Sequence, residues 1–231
     1  MNNFINKLYK KIHIIQNIYL KNKFLLKRKT YAMEGEDLEI VKILKNIKNG
    51  FYVDAGGYHP LDRNNTYLLY KKNWRGINID LSEFSIDLFD FIRPDDVNIN
   101  VAVANNDNYV TFYYQKKLSQ LTTIKRNIAD QRMQGSIKEK RIKSNKLSTI
   151  LNNTKYKNRK IDFLNVDIEG ADFEALKSLD FNIYRPKLVC VEIYDENIEK
   201  SDINVFLNSL NYTRKWSATF SHLYTDDQYN F

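Results

Sequence analysis

The stretch Phe51-Tyr52-Val53-Asp54-Ala55-Gly56-Gly57-Tyr58-His59-Pro60 decides the fold of this 231-residue chain. Three apolar residues followed by an acid and two glycines are typical of a buried strand that runs directly into a tight turn. Glycine has no side chain and accepts a positive φ, so such a turn lets the backbone approach a ligand closely. The stretch therefore predicts a core strand of an α/β sheet with a ligand-binding turn at its carboxyl end.

A second strand is predicted at Trp74-Arg75-Gly76-Ile77-Asn78-Ile79-Asp80, and its last residue is an acid. In α/β proteins a carboxylate in this position accepts hydrogen bonds from the ribose hydroxyls of a bound nucleoside. Adjacent glycines do not fit the spaced G-x-G-x-x-G pattern of dinucleotide sites, which discounts an NAD(P)-dependent enzyme. The pattern apolar-apolar-Asp-x-Gly matches the first motif of S-adenosylmethionine (SAM) methyltransferases better.

Length and composition limit the class of protein. A chain of this length forms one domain with a full core. Its single Cys190 lies in the apolar run 188–191, which is typical of a buried, unpaired thiol in a reducing compartment. No apolar run approaches the ~18 residues of a membrane span, and the N-terminus lacks the apolar core of a signal peptide. We therefore expect a cytoplasmic protein.

Residues 1–33 are predicted to form a basic helical extension, and residues 34–231 the main domain. The extension contains eight Lys and Arg and no acid. Its apolar residues recur at three- and four-residue spacing, as expected for an amphipathic helix: Phe4, Leu8, Ile12, Ile15 and Tyr19. Such a helix docks on the core, on a second subunit of a homo-oligomer or, through residues 1–29, on an anionic membrane surface. The sequence does not separate these alternatives.

Strand and helix patterns alternate along the main domain, with further core strands predicted at 97–104, 161–166 and 188–193. A terminal hairpin is predicted over 212–224. This alternation predicts a doubly wound α/β sheet, mostly parallel, with the antiparallel hairpin at its edge. Residues 116–160 hold fourteen Lys and Arg against two acids, and about 116–146 are predicted to be a polar, weakly helical lid or insertion.

Several stretches, in this order and spacing, resemble the FkbM family of SAM-dependent methyltransferases across residues 34–224. The matching stretches are 51–60, 65–70, 74–80, 100–103, 161–170, 176–179 and 184–187. The resemblance implies the Rossmann-like class I methyltransferase fold. It also implies methyl transfer from SAM, usually to an oxygen of a carbohydrate or natural product.

Ligands bind at the carboxyl ends of the strands in such a sheet. The cofactor-binding residues predicted there are Asp54, Gly56, Gly57, Tyr58, Asp80 and Ala102. We expect Asp80 to accept the ribose hydroxyls and the amides of Gly56 and Gly57 to reach the methionine carboxylate. Asp54 would orient the turn or meet the ammonium group through water, and Tyr58 would cover the methionine arm.

An alcohol has a pKa far above 7, so its methylation needs a base or a metal. Asp167 and Glu169 are candidate bases, because neighbouring carboxylates raise each other's pKa. His59 is a third candidate, with capping of the turn as the alternative role. Asp167 and Glu192, at adjacent strand ends, are candidate ligands of a divalent metal such as Mg²⁺. A metal is an alternative here rather than the main expectation.

The basic insertion suggests a phosphate-bearing acceptor, with candidate contacts at Arg126, Arg132, Lys138 and Arg141. We therefore predict an O-methyltransferase acting on a hydroxyl of a nucleotide-activated sugar or glycan in surface-polysaccharide biosynthesis. An RNA methyltransferase is one alternative, because the chain has a net charge of +8. The divided charge and the lack of an appended RNA-binding module weigh against nucleic acid. A non-catalytic binding module with the same fold is the other alternative.

Overall fold

A seven-stranded sheet forms the centre of the protein. In the computed structural model, which describes residues 2–229, the strands of the chain are β1 (Phe51–Ala55), β2 (Arg75–Asp80), β3 (Val97–Asn100), β4 (Ala102–Val103), β5 (Asn108–Tyr114), β6 (Lys138–Asn145), β7 (Phe163–Val166), β8 (Leu188–Glu192), β9 (Tyr212–Ser217) and β10 (Ser221–Asp226). The large sheet has the order β3-β2-β1-β7-β8-β10-β9.

Helices connect the strands of the large sheet. Within the described residues they are α1 (Asn2–Ile15), α2 (Glu36–Ile43), α3 (Tyr67–Lys71), α4 (Glu83–Ile92), α5 (Arg126–Arg132), α6 (Leu147–Asn152), α7 (Asp172–Lys177) and α8 (Asp202–Ser209). A π-helix, Gln16–Lys21, continues α1, and a 3₁₀ helix, Ile198–Lys200, precedes α8. Ser82 and Ser201 cap α4 and α8, each accepting a hydrogen bond from the amide three residues on.

Strand β1 lies in the middle of the parallel part of the sheet. It pairs in parallel with β2 and β7, which places Ala55 beside both Ile79 and Val166. Strand β10 is antiparallel to β8 and to β9, which forms the edge. The predicted doubly wound, mostly parallel sheet with an antiparallel C-terminal hairpin is confirmed.

Both faces of the sheet are buried, which explains the continuous apolar runs of its central strands. On one face, Phe51 and Val53 pack in a core cluster with residues of α6, α7 and α8. On the other face, Tyr52 packs with Trp74, Cys190 and residues of α2 and α3. All five residues of β1 are buried.

The insertion forms a second, three-stranded sheet of order β4-β6-β5. Strand β5 is antiparallel to β6 along its whole length, from Asn108 opposite Ser144 to Tyr114 opposite Lys138. The predicted single strand over 97–104 is therefore two strands in two sheets. The predicted weak helix over 116–146 is short, since β6 occupies the end of that segment. The sequence of β6 lacks the apolar–polar alternation that predicts a strand, because Ile142 is its only apolar residue.

Residues Asn2–Ile15 form α1, and the apolar side predicted from the sequence does not face the core. Ile14 and Ile18 pack with Tyr31 of the same extension and with residues of the main domain such as Leu61. The residues from which we predicted the apolar stripe are exposed instead: Leu8, Ile12, Ile15 and Tyr19. The side chain of Phe4 lies outside the described part. Among residues 2–229, no helix is both long and apolar enough to cross a bilayer.

Candidate active site

A cavity of about 400 Å³ opens at the carboxyl ends of β1, β2, β7 and β8. This volume suits a cofactor-sized ligand. Six of the predicted site residues line the cavity: Gly56, Tyr58, Asp80, Asp167, Glu169 and Glu192. The other four lie outside the lining: Asp54, Gly57, His59 and Ala102. The sheet topology brings the six together because parallel strands end on the same rim.

The turn after β1 bends with Gly56 at φ +88°. The amides of Gly56 and Gly57 both donate to the carbonyl oxygen of Ile79, at 2.9 and 3.2 Å. These amides are therefore engaged within the sheet, and the predicted contact with a methionine carboxylate is not available to them. A side chain on Gly57 would press on the ring of Phe89, so this glycine serves packing behind the cavity.

Asp54 is buried behind this turn and accepts hydrogen bonds from the residues around it. Its carboxylate accepts hydrogen bonds from the Asn165 amide at 2.9 Å and from the Thr66 hydroxyl at 2.7 Å. Asn64 donates to the same carboxylate at 3.2 Å. This geometry fits the orienting role among the two that we predicted for Asp54, and it leaves no path to a ligand.

A fully buried guanidinium, missed by the sequence reasoning, supports the same loop. Arg93 donates to the Pro60 carbonyl at 2.7 Å, to Asn64 at 2.6 Å and to Thr66 at 2.7 Å. In the sequence Arg93 marks only the end of a helix before a proline. Its forked donors connect three points of the 57–66 loop, so the loop that borders the cavity is fixed by side chains.

Asp80 ends β2 and projects into the cavity. Its carboxylate accepts the amide of Tyr58 at 2.8 Å and the amide of Ser82 at 2.7 Å, one on each oxygen. Burial raises the pKa of Asp80 to about 6, and the two amide donors oppose that rise. Because a carboxylate oxygen has two lone pairs, each oxygen can still accept one hydroxyl. This arrangement suits the two hydroxyls of a ribose.

Tyr58 lines the cavity with a left-handed backbone, at φ +50°. The hydrogen bond from its backbone amide to Asp80 stabilises this conformation. Ala102 does not line the cavity, contrary to prediction. It is fully buried and pairs with Ser144 in the small sheet, while its neighbours Val101 and Val103 reach the lining. Adjacent residues of an extended chain point to opposite sides, so the apolar contact shifts by one position.

His59 is not placed to act on a substrate, which corrects its prediction as a base. The imidazole is 1% exposed. Its Nδ1 accepts the amides of Leu61 and Asp62, both at 3.0 Å, so the proton lies on Nε2, which donates to Asn17 Oδ1 at 2.7 Å. Burial, Arg93 and Arg28 lower the pKa of His59 to about 3. This neutral ring caps the turn, the alternative that the sequence left open.

Three carboxylates meet at the ends of β7 and β8. Asp167, Glu169 and Glu192 each offer an oxygen within 4.8 Å of the others. Burial raises the pKa of Asp167 well above its ordinary range, and the charges of Glu192 and Glu169 add to this. Burial and Glu192 raise the pKa of Glu169 to about 7. The cluster therefore retains protons at pH values where isolated carboxylates have lost them.

A fourth acid, Asp172, supports the cluster from the start of α7. It is buried and accepts the amides of Ile168 at 2.9 Å and Gly170 at 3.0 Å. Burial raises its pKa to about 7, against the effect of these donors. These two bonds enclose Glu169, which adopts a left-handed φ of +56°. Asp172 thus fixes the backbone that presents Glu169 to the cavity.

Arg132, predicted as an acceptor contact, lies instead beside Tyr194, a residue of the site that the sequence reasoning missed. Arg132 binds Glu169 at 2.5 Å, and its guanidinium lies 4.1 Å from the centre of the Tyr194 ring. The Tyr194 hydroxyl donates to Glu192. They connect the insertion to the carboxylates. Arg132 is 37 residues from Glu169, so no local signal pairs these two.

The other basic residues of the insertion do not line the cavity, although five of its uncharged residues do: Ser119, Gln120, Leu121, Thr122 and Ile124. Of its four candidate contacts, only Arg132 lines the cavity. Arg126 pairs with Asp130 at 2.9 Å, Arg141 lies over the Tyr109 ring, and Lys138 is exposed on β6. The cavity lining is thus rich in acids, with Arg63 and Arg132 as its two cations among the described residues. The predicted phosphate clamp is not assembled in the cavity.

Oxygen ligands in such a cluster are the type that Mg²⁺ prefers. An acidic group alone is equally suited to bind a cationic ligand or to accept a proton. The geometry therefore supports proton transfer, a cationic ligand and a divalent metal alike.

The comparisons with known proteins agree with this architecture. The family model for the methyltransferase FkbM domain matches residues 54–214. The structure of the methyltransferase FkbM from Methylobacillus flagellatus KT is similar to this chain with a TM-score of 0.50 and 13% sequence identity. That similarity covers 77% of this chain and 43% of the Methylobacillus chain, so this chain spans less than half of that protein.

A TehB-like SAM-dependent methyltransferase from Corynebacterium glutamicum gives a TM-score of 0.44 at 9% identity, over 84% of this chain and 89% of its own. No curated protein matches the chain. The family match covers well over half of the residues and includes the β1 turn, Asp80 and the carboxylate cluster. The chain therefore belongs to the FkbM family of SAM-dependent methyltransferases.

Proposed function

We propose that this protein transfers the methyl group of SAM to a hydroxyl oxygen of a carbohydrate. One observation carries the proposal: a proton-retaining carboxylate cluster and a nucleoside-type carboxylate, Asp80, line the same cavity. Methylation of a hydroxyl needs a cofactor site beside a group that removes a proton. In this proposal the residues at the ends of β2, β7 and β8 supply both.

The residues at the β2 end fit the cofactor. SAM supplies an electrophilic methyl group on a sulfonium cation. Asp80 has one open acceptor position on each oxygen for the ribose hydroxyls, and Val101 and Val103 offer an apolar surface to adenine. The acidic lining also favours a ligand that carries positive charge.

Asp167 is the base in this proposal, with Glu192 as its partner. Two half-buried carboxylates this close do not both ionise easily: burial raises the pKa of each, and the charge of Glu192 raises that of Asp167 further. Once deprotonated, Asp167 accepts the hydroxyl proton as the methyl group is transferred. Glu169 is less suited to this role because Arg132 already binds it.

A sugar suits the cluster because its hydroxyls are hydrogen-bond donors and carboxylates are acceptors. Phosphates would be repelled by the acidic lining, so a nucleotide-activated acceptor would have to place its diphosphate outside the cavity, toward the exposed basic residues of the insertion. We place the reaction in surface-polysaccharide biosynthesis in the cytoplasm. The same acidic lining argues against an RNA backbone as acceptor.

The test is to incubate the protein with SAM and three groups of acceptors: free sugars, oligosaccharides and nucleotide sugars. Mass spectrometry should show a gain of one methyl group on a carbohydrate. Calorimetry should show SAM binding that Asp80→Ala weakens. Parallel reactions with EDTA decide on the metal, since methylation that persists with chelator removes Asp167 and Glu192 as its ligands. SAM binding without methylation of any carbohydrate would overturn the acceptor class, and no SAM binding would overturn the whole proposal.

A further inference from the structure

A stripe of apolar side chains on α1 points away from the protein. Ile14 is 8% exposed and faces the core, while Ile12, two positions earlier, is 48% exposed. Residues two apart on an α-helix point about 160° away from each other. The other exposed members of the stripe are Ile5, Leu8 and Ile15. The helix thus packs on the protein through the side that carries Ile14, and the side that carries the stripe faces solvent.

The exposed apolar surface continues beyond the helix. Leu25 is 80% and Leu20 71% exposed, far more than large aliphatic side chains of a folded domain usually are. Tyr19 joins this region to the main domain, since its ring lies 6.4 Å from that of Phe91 on α4. Exposed large apolar side chains thus recur throughout residues 5–26.

The charge of the same segment selects its partner. Residues 1–33 contain eight Lys and Arg and no acid. Among the described residues 5–33, only Lys10, with Asp87, and Arg28, with Asp62, have a carboxylate partner. The six remaining lysines are free to bind anions: Lys7, Lys11, Lys21, Lys23, Lys27 and Lys29. Two copies of so basic a surface would repel each other, which disfavours a dimer through α1.

We propose that residues 5–29 are a docking surface for an anionic lipid bilayer. An apolar stripe beside an acid-free lysine face is the combination by which helices lie in the interface of a membrane. The stripe enters the boundary of the acyl chains and the lysines bind anionic headgroups. Met33 and Glu34, four and five residues after this segment, line the cavity.

The test uses the full chain and flotation with two kinds of vesicle, one of phosphatidylcholine alone and one of phosphatidylcholine with phosphatidylglycerol. Binding to the mixed vesicles only is expected, and added salt should weaken it. The double variant Leu8→Glu, Ile12→Glu should bind roughly tenfold more weakly. Lys11→Glu with Lys23→Glu should also weaken binding. Both pairs are exposed, so circular dichroism should show an intact fold.

Val205→Glu is the matched control, because Val205 is 56% exposed on α8, outside the docking surface, and should leave binding unchanged. Equal binding to both vesicles, no binding to either, or wild-type binding by the Leu8 and Ile12 variant would overturn the proposal. Light scattering then measures the oligomeric state of the wild type and of the variant. If the wild type is a dimer and the Leu8→Glu, Ile12→Glu variant is a monomer, the stripe binds a second copy of the chain instead of a membrane.

Discussion

Gly56 and Asp167 are packed backbone against backbone: a Cβ on Gly56 would lie 1.6 Å from the carbonyl oxygen of Asp167. The Asp167 amide also donates to the Ala55 carbonyl at 2.9 Å. The turn that follows β1 and the strand end that carries the proposed base are therefore one rigid unit. The absence of a single methyl group at Gly56 sets the distance between them.

Gly56→Ala should destabilise the protein and abolish SAM binding, because the new methyl group would push the two strand ends apart. Gly135→Ala is the matched control. Gly135 has a φ of +89°, like the +88° of Gly56, but no atom lies within 4 Å of its Cβ position. The control should lose only about 1–2 kcal/mol, the cost of a left-handed alanine. Urea unfolding measures the stability of both variants, and calorimetry measures their SAM binding. Equal losses of stability for the two variants would show that the contact with Asp167 is unimportant.

Asp167→Asn should lower kcat by on the order of 10²–10⁴ while SAM binding is largely kept. Its amide fills the same space without a titrating proton, and it removes a buried charge, so the melting temperature should hold or rise. In the wild type, activity should increase with pH as the raised pKa of the pair is passed. Steady-state kinetics with an acceptor that the wild type methylates measure kcat and its pH dependence. Normal turnover by this variant would remove Asp167 as the base.

Glu192→Gln should stabilise the protein at pH 8 and have little effect at pH 5. The pKa of both Asp167 and Glu192 is raised on folding, so the folded state binds more protons than the unfolded state above about pH 4. Stability from these groups is therefore lost as pH rises. Glutamine removes the charge that repels Asp167 and can still accept the Tyr194 hydroxyl.

Thermal melts at the two pH values measure this effect, with the exposed Glu196→Gln as control. The control should change little at either pH. A loss of stability for Glu192→Gln at pH 8 would mean that the charge of Glu192 is compensated by donors rather than opposed by Asp167.

His59→Gln should reduce stability by about 1–3 kcal/mol at pH 8, because two buried amides lose their acceptor. The folded pKa of about 3 lies below the ordinary 6.5, so the unfolded chain binds a proton that the folded chain does not. The contribution of His59 is complete above pH 6.5 and is lost as pH falls toward 3. The cost of the substitution should therefore be smaller at pH 5 than at pH 8. If the pH dependence of turnover changed shape instead, His59 would take part in proton transfer after all.

The sequence alone was sufficient for the sheet, its order of elements and the rim on which the site lies. The runs at 51–53 and 188–191 are apolar because both faces of their strands are covered, and this is a local signal. Asp80, Asp167 and Glu192 follow such runs directly. Parallel strands end on one side of a sheet, so neighbouring acids could be predicted without knowledge of any contact.

Only the tertiary structure decided which way individual side chains point and what they meet. His59 is three residues from Gly56 yet is enclosed by Asn17 of the N-terminal segment, and Arg132 reaches Glu169 from the insertion. The outward face of α1 follows from where Ile14 packs, which helical spacing does not define. Spacing along a chain fixes the angles between side chains of one element, but the face that is buried depends on elements far away in sequence.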